Sequence, residues 1–262
     1  MPMLDLDDIS LHYREDGDPD GAPVMFLNSL GTELSLWDGV VAHLPLGLRL
    51  VRADLRGHGR SGCPPAPYPM GALIRDAEAL LDHLNIRAAA VVGLSIGGMI
   101  AQGLAVKRPD LVRALVLSNT AAKIGTPALW QDRIADLERL GLEGIADAVM
   151  ERWFGRSFRE TGAHKPWREM LVRQRAEGYK GCCAAIAGSD FYTPTSGLRL
   201  PTRGIAGAED RATPPDLVRE TIELIPGAEM VLMRGVGHLP CVEKPAEYAA
   251  LLAEFLERAG HL

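Results

Sequence analysis

The chain has 262 residues, of which 47% are hydrophobic and 24% charged, and its formal net charge is −6. This composition is typical of a globular protein with a substantial core, and it argues against a disordered or fibrous chain. The acidic balance and the lack of a basic patch argue against nucleic acid as a partner. No apolar run approaches the ~20 residues that a membrane span needs, so no membrane partner is expected.

The cysteines have no metal-ligand spacing, and we expect them to be reduced thiols in a cytoplasmic protein. They are Cys63, Cys182, Cys183 and Cys241. Acidic residues occupy the stretch 1–8, where a secretory signal would need a basic and then an apolar stretch. The adjacent Cys182 and Cys183 allow a redox pair, but small buried side chains are the favoured interpretation.

Strand-like apolar runs alternate with helical patterns in the first half of the chain. Strands are predicted over 24–27, 49–53, 88–92 and 114–117, and helices over 73–84 and from Gly98. Such alternation is typical of the α/β class, in which a mostly parallel sheet carries helices on both faces.

The pattern becomes helical over 122–195, with helices predicted over 130–140, 145–154 and 168–176. We interpret this stretch as an all-helical cap inserted into an α/β core made of 1–121 and 196–262. The alternation then resumes with a strand over 202–206, a helix after Pro214 and Pro215, a strand over 230–233 and a closing helix over 245–258.

The run from Val91 to Gly98 joins an apolar segment to a GxSxG turn with Ser95 at its centre. This pattern is the nucleophile elbow, a strained strand-to-helix turn that exposes a serine hydroxyl at the top of a sheet. A lone GxSxG is a weak signal, because glycine-rich turns contain it by chance. Its place between a predicted strand and a predicted helix makes Ser95 the candidate nucleophile.

A serine hydroxyl needs a histidine to take its proton and a carboxylate to orient the histidine. Asp210 and His238 each follow the end of a predicted strand, and the order Ser, Asp, His is that of the elbow fold. Glu209 is the alternative to Asp210, which is favoured. His58 is the alternative base, but it precedes Ser95 in a glycine-rich loop, and we expect it to order that loop.

Two backbone N–H groups are needed to hold the oxyanion that forms during acyl transfer. Ile96, the residue after the nucleophile, is predicted to supply one. The loop 26–31 follows an early strand and is the candidate for the other, with Leu30 as the donor and Ser29 as its alternative. A local turn built by asparagine and serine would also explain this loop.

With these residues in place, the chain resembles the α/β-hydrolase superfamily over its whole length, and more closely the 3-oxoadipate enol-lactonases. The stretches that carry the resemblance are 27–32, 93–100, 118–126 and 176–186. The last two are the more specific, because members of the superfamily differ most in the cap. The resemblance implies a Ser-His-Asp acyl-enzyme mechanism that opens 3-oxoadipate enol-lactone in aromatic catabolism, with neither a metal nor an organic cofactor.

The implied substrate is a small anionic lactone, so the pocket should offer a cation or several donors. The stretch 122–195 holds 11 Lys and Arg against 10 Asp and Glu, which makes it the least acidic part of the chain. Within it we expect Trp130, Arg133 and Lys123 to bind the substrate. The alternative for either cation is a solvated charge on a helix face.

The same triad would also serve a general carboxylesterase, a carbon–carbon bond hydrolase or a cofactor-free perhydrolase. A dehalogenase or epoxide hydrolase is disfavoured, because those enzymes carry a carboxylate where this chain has Ser95. A receptor-like binding protein with little turnover is an alternative from another class, and an intact triad argues against it.

Overall fold

A single mixed sheet organises residues 2–262, the part of the chain that the computed structural model describes. Its eight strands lie in the order β1-β2-β4-β3-β5-β6-β7-β8. They are β1 (Met3–Asp5), β2 (Ser10–Gly17), β3 (Ala22–Leu27), β4 (Leu48–Ala53), β5 (Ala89–Leu94), β6 (Val112–Ser118), β7 (Thr202–Gly207) and β8 (Glu229–Met233). The strands from β4 to β8 in this order pair in parallel, whereas β2 pairs antiparallel with both β1 and β4. The predicted α/β class is confirmed.

Eleven α-helices connect and cover the strands in this part of the chain. They are α1 (Asp38–Val41), α2 (Met70–His83), α3 (Ile96–Lys107), α4 (Pro127–Trp153), α5 (Arg156–Glu160), α6 (Lys165–Val172), α7 (Ala176–Ala187), α8 (Tyr192–Ser196), α9 (Pro215–Glu223), α10 (Pro240–Glu243) and α11 (Pro245–Arg258). Within residues 2–262, none of the helices combines the length and apolar character required to cross a membrane.

The central strand β5 shows why the sheet forms where it does. All six of its residues, Ala-Ala-Val-Val-Gly-Leu, are buried, as expected for a parallel strand covered on both faces. Because β5 to β8 run in one direction, the loops that follow them meet at one edge of the sheet. That edge receives Ser95, Asn119, Asp210 and His238.

Helices α4 to α8 lie between β6 and β7 and fill the predicted all-helical stretch 122–195, which we call the cap segment. Helix α4 is interrupted at Gly141, whose φ of 68° and ψ of 177° are not helical. Its two halves contain the predicted helix 130–140 and all but the last residue of the predicted helix 145–154. That the cap segment is a separate domain remains a prediction.

Three differences between the predicted and the observed elements are instructive. The strands β1 and β2 were not predicted, because charged residues interrupt the apolar pattern of β2. The predicted helix 168–176 is wrong at its end: α6 stops at Val172, and Gln174 and Arg175 bind a loop of the core instead. Helix α3 begins at Ile96 rather than Gly98, directly after Ser95.

All four cysteines of the chain are unpaired, and three of them are buried. Burial raises the pKa of Cys183 to about 12, which disfavours the thiolate that redox exchange requires. The adjacent Cys182 is also buried, and its pKa is raised for the same reason. Buried small side chains therefore describe this pair better than a redox couple.

Candidate active site

Ser95 forms the turn between β5 and α3. Its φ of 59° and ψ of −120° lie in a region that costs a non-glycine residue about 1–3 kcal/mol. The turn is held because the Ser95 N–H donates to the Ser118 carbonyl at 3.0 Å and the Ser95 carbonyl accepts from Thr120 Oγ1 at 2.6 Å. A Cβ on Gly97 would lie 2.3 Å from the Leu27 carbonyl oxygen, so this turn needs a glycine there.

His238 and Asp210 form a buried pair at the same edge of the sheet. The two atoms His238 Nδ1 and Asp210 Oδ2 are 2.8 Å apart, and both side chains are almost fully buried. The adjacent Glu209 faces elsewhere, since its Oε2 accepts from the Arg156 N–H at 2.7 Å. The structure thus brings Asp210, and not Glu209, to His238.

The carboxylate of Asp210 accepts hydrogen bonds on both of its oxygens. Oδ2 accepts from Asn119 Nδ2 and from Thr213 Oγ1, each at 2.7 Å, in addition to His238. Oδ1 accepts from the N–H groups of Ala212 at 2.7 Å and Thr213 at 3.0 Å. Burial alone would raise the pKa of Asp210, but His238 and these donors outweigh it and hold the pKa below its ordinary value.

Asn119 and Thr213 are site residues that the sequence analysis did not identify. The available signal for Asn119 was its place directly after β6, where open sheets collect site residues. Its φ of 44° turns the chain toward Asp210. Nothing in the sequence distinguishes Thr213 from the other polar residues of its loop.

The loop that carries His238 is fastened to the cap segment. The Trp153 carbonyl accepts from the N–H groups of His238 at 2.7 Å and Leu239 at 3.3 Å. The carboxylate of Glu243 accepts from the Gly237 N–H at 2.6 Å and from the Gly155 N–H at 2.9 Å. Position and orientation of His238 therefore depend on the end of α4 as well as on the core.

The predicted oxyanion donors lie in the turns that follow β3 and β5. Ile96 is the first residue of α3, where helix N–H groups lack an intrahelical acceptor. Ser29 and Leu30 follow β3 and line the same cavity as Ser95. The side chain of Asn28 is committed elsewhere, because it accepts from Trp37 Nε1 at 2.9 Å and donates to the Ala53 carbonyl at 2.8 Å.

A cavity of about 610 Å³ lies against Ser95 and His238, between the sheet edge and the cap segment. Trp130 and Arg133, which were predicted to bind the substrate, both line it. Lys123 is not among the residues 2–262 that line it, and its Nζ lies 3.0 Å from Asp190 Oδ2. The structure thus brings two of the three predicted binding residues to the nucleophile.

Arg152 also lines this cavity, although the sequence analysis did not identify it. Burial lowers the pKa of Arg152, and the neighbouring positive charge of Arg133 lowers it further. The charges of Arg133 and Arg152 also act on the buried hydroxyl of Tyr179. Burial raises the pKa of this hydroxyl, and the two arginines offset part of that rise. Two like charges thus share a partly dehydrated corner of the cavity.

Within residues 2–262 neither arginine forms an ion pair with a carboxylate, and Glu151 acts on Arg152 only through its charge. Asp132 and Asp136 line the same cavity, but the carboxylate of Asp136 is paired with Arg139 at 2.8 Å. An arginine pair of this kind is stabilised by a bound anion, because its guanidinium groups match the planar geometry of a carboxylate. The cavity therefore brings Ser95 and His238 together with two arginines that form no ion pair.

The parallel sheet, the Ser95 turn and the Asp210–His238 pair at the strand ends define an α/β hydrolase. The family described as the alpha/beta hydrolase fold matches residues 22–245, and the chain belongs to it. The chain is 33% identical to 3-oxoadipate enol-lactonase 2 of Acinetobacter baylyi, over 97% of this chain and 96% of that protein. The resemblance to the enol-lactonases is therefore confirmed, and the chain is a hydrolase.

Two solved structures share the whole fold. The enol-lactonase from Burkholderia xenovorans LB400 has a TM-score of 0.93 at 35% identity, and the match covers 98% of this chain and 100% of that one. A hydrolase from Pseudomonas aeruginosa PA01 has a TM-score of 0.93 at 34% identity, with 97% of each chain covered.

Proposed function

We propose that this hydrolase opens the lactone ring of 3-oxoadipate enol-lactone and releases 3-oxoadipate. The observation that carries the proposal is the pair of arginines without carboxylate partners, Arg133 and Arg152, in the same cavity as Ser95. A general esterase for neutral substrates has no use for two partly buried positive charges. A small lactone with a carboxylate arm uses both the nucleophile and the anion site, and the enol-lactonase relatives support that choice.

In the proposed reaction, Ser95 Oγ attacks the lactone carbonyl carbon while His238 Nε2 takes the hydroxyl proton. Nδ1 of His238 is paired with Asp210 Oδ2 at 2.8 Å, which leaves Nε2 as the nitrogen that can accept it. The N–H groups of Leu30 and Ile96 hold the negative oxygen of the tetrahedral intermediate. Asp210 stabilises the imidazolium that forms, and its lowered pKa keeps it ionised.

Collapse of the intermediate breaks the ring carbon–oxygen bond and expels an enolate. An enolate is a better leaving group than an alkoxide, and the proton held by His238 converts it to the enol and then the ketone. The acyl group stays on Ser95 as an ester. His238 next removes a proton from water, which attacks this ester and frees Ser95 with a second carboxylate on the product.

The direct test measures the loss of ultraviolet absorbance of 3-oxoadipate enol-lactone with the purified protein. We expect kcat/KM for the lactone to exceed that for the neutral aryl ester p-nitrophenyl acetate by at least ~100-fold, the scale of one to two charge-assisted hydrogen bonds. Comparable values on both substrates would point to a general carboxylesterase. No turnover of either substrate would instead favour the receptor-like alternative.

The anion site is tested by Arg152→Gln, which removes the charge and keeps much of the side-chain volume. We expect kcat/KM for the lactone to fall by about 10- to 100-fold, since a hydrogen bond to a charged group is worth about 1.5–3 kcal/mol. Turnover of p-nitrophenyl acetate should change by less than about threefold, because this ester carries no anion.

Arg156→Gln is the matched control, because the exposed Arg156 side chain belongs to the same cap segment, pairs with Glu160 at 2.8 Å and, like Glu160, is not among the residues 2–262 that line the cavity. It should leave both substrates unaffected. An equal loss on both substrates in Arg152→Gln would show that the arginine supports the fold of the site rather than the anion.

A further inference from the structure

His58 is a fully buried histidine that the proposed reaction does not use. Among residues 2–262 it is not one of those that line the Ser95 cavity. Its ring instead contacts the turn that carries the predicted oxyanion donor. The Gly31 N–H donates to His58 Nε2 at 3.0 Å, and the other ring nitrogen, Nδ1, lies 3.2 Å from the Arg56 carbonyl oxygen.

The two partners of His58 determine its protonation. A backbone N–H can only donate, so Nε2 must carry a lone pair toward Gly31. A carbonyl oxygen can only accept, so Nδ1 must carry the proton toward Arg56. Burial lowers the pKa of His58 to about 4, which keeps the ring neutral in this one tautomer near pH 7. Such a ring is unsuited to act as a base and well suited to act as a fixed acceptor.

The bond from Gly31 restrains a turn that is also held from its other side. The Ser29 carbonyl accepts from Thr32 Oγ1 at 2.8 Å and from the Thr32 N–H at 3.2 Å. In a trans peptide the C=O and the following N–H point in opposite directions, so this anchor directs the Leu30 N–H away from Thr32. Gly31 itself has a φ of 80°, and His58 fixes the next peptide plane.

The loop that carries His58 is in turn held by the cap segment. Arg175 donates to the His58 carbonyl at 3.2 Å, and Gln174 Oε1 accepts from the Gly59 N–H at 2.9 Å. The backbones of Gly57 and Gly178 touch so closely that a Cβ on Gly57 would lie 2.3 Å from the Gly178 Cα. A continuous set of contacts thus runs from the start of α7 through His58 to the oxyanion turn.

We propose that His58 is a positioning residue, whose neutral ring holds the Gly31 N–H and thereby aims the Leu30 N–H at the oxyanion of the reaction. A donor fixed in advance contributes most in the transition state, where the negative charge develops. Loss of this restraint should therefore lower kcat and leave KM nearly unchanged. The inference rests on the proposed serine mechanism and is independent of the lactone as substrate.

The test compares His58→Asn with His58→Gln. A glutamine side chain can place an oxygen near the former Nε2 position and accept from Gly31, whereas the shorter asparagine reaches only the former Nδ1 position. For His58→Asn we expect kcat to fall by about 10- to 100-fold, less than the ~10²–10³ that follows complete loss of an oxyanion donor. KM should change by less than about threefold, and His58→Gln should recover most of the lost kcat.

Both variants are assayed on the enol-lactone and on p-nitrophenyl acetate, and the fall should be the same on each because both reactions form an oxyanion. His43→Asn, at an exposed histidine of the connection after α1, is the control for the substitution itself. Full kcat in His58→Asn, in a protein that Ser95→Ala inactivates, would overturn the inference while leaving the proposed function intact. Turnover by Ser95→Ala would overturn the proposed function instead.

A ring ¹⁵N NMR spectrum of the unmodified protein provides a test that needs no variant to fold. We expect the His58 signals of a neutral ring with a protonated Nδ1 and an unprotonated Nε2 at pH 7. A protonated Nε2 could not accept from Gly31 and would contradict the inference directly. The tautomer establishes the acceptor, and the fall in kcat at nearly constant KM then separates a positioning role from a purely structural one.

Discussion

Ser95→Ala is expected to abolish hydrolysis of both the enol-lactone and p-nitrophenyl acetate. Loss of the nucleophile in a serine hydrolase of another fold lowers kcat by about 10⁶-fold, and we expect a loss of at least ~10⁴-fold here. Single-turnover measurements at high enzyme concentration determine the residual activity of the variant. Activity within ~100-fold of the unmodified protein would contradict Ser95 as the nucleophile.

Ser95→Gly should be equally inactive but more stable than Ser95→Ala. Glycine adopts a φ of 59° without a Cβ penalty, which relieves strain of about 1–3 kcal/mol, while the more flexible unfolded chain offsets about 0.4–1 kcal/mol of that gain. We expect a net difference of about 1 kcal/mol in urea unfolding. Ala135→Gly, at an exposed position of α4, should show the opposite sign, since glycine weakens an ordinary helix.

Asp210→Asn should lower kcat by about 10⁴-fold, the loss measured for the equivalent change in another serine triad. An asparagine has one oxygen and one NH₂ group. The backbone N–H groups of Ala212 and Thr213 require the oxygen, as they do for Oδ1 of Asp210. The NH₂ group then donates to His238 Nδ1, so the ring proton must lie on Nε2. A protonated Nε2 can no longer accept the proton of Ser95.

Glu209→Gln is the neighbouring control, because Glu209 binds the Arg156 N–H rather than His238. We expect its kcat to stay within about threefold of the unmodified value. Ring ¹⁵N NMR of His238 should show a protonated Nδ1 in the unmodified protein and a protonated Nε2 in Asp210→Asn. An unchanged tautomer with lost activity would contradict the proposed role of Asp210.

The sheet, the Ser95 turn and the strand-end residues were predictable because each depends on a local pattern. An apolar strand followed by GxSxG specifies its own turn, and parallel strands bring the ends of β5, β7 and β8 to one edge. The strands β1 and β2 were missed because their apolar alternation is interrupted by charged residues that pair across the sheet, as Arg52 does with Asp16 at 2.6 Å.

The residues that line the Ser95 cavity depend on tertiary packing and were predicted only in part. Arg133 and Lys123 look alike in sequence, yet one lines the cavity and the other pairs with Asp190. Arg152 lies near the end of a helix, where arginine usually faces solvent or the helix dipole. Arg152 comes near Arg133 because α4 breaks at Gly141. No short sequence pattern predicts the angle of this break. Thr213 depends in the same way on how its loop folds over Asp210.

The break at Gly141 has a consequence for the choice of substrate. Arg133 lies on the half of α4 before Gly141 and Arg152 on the half after it. The distance between the two positive charges therefore depends on the angle between two helical segments that meet at Gly141. A non-glycine residue at a φ of 68° would change that angle. Under the proposed function, we therefore expect a substitution at Gly141 to change the length of acid that the cavity accepts, while both arginines, Ser95, Asp210 and His238 stay in the sequence.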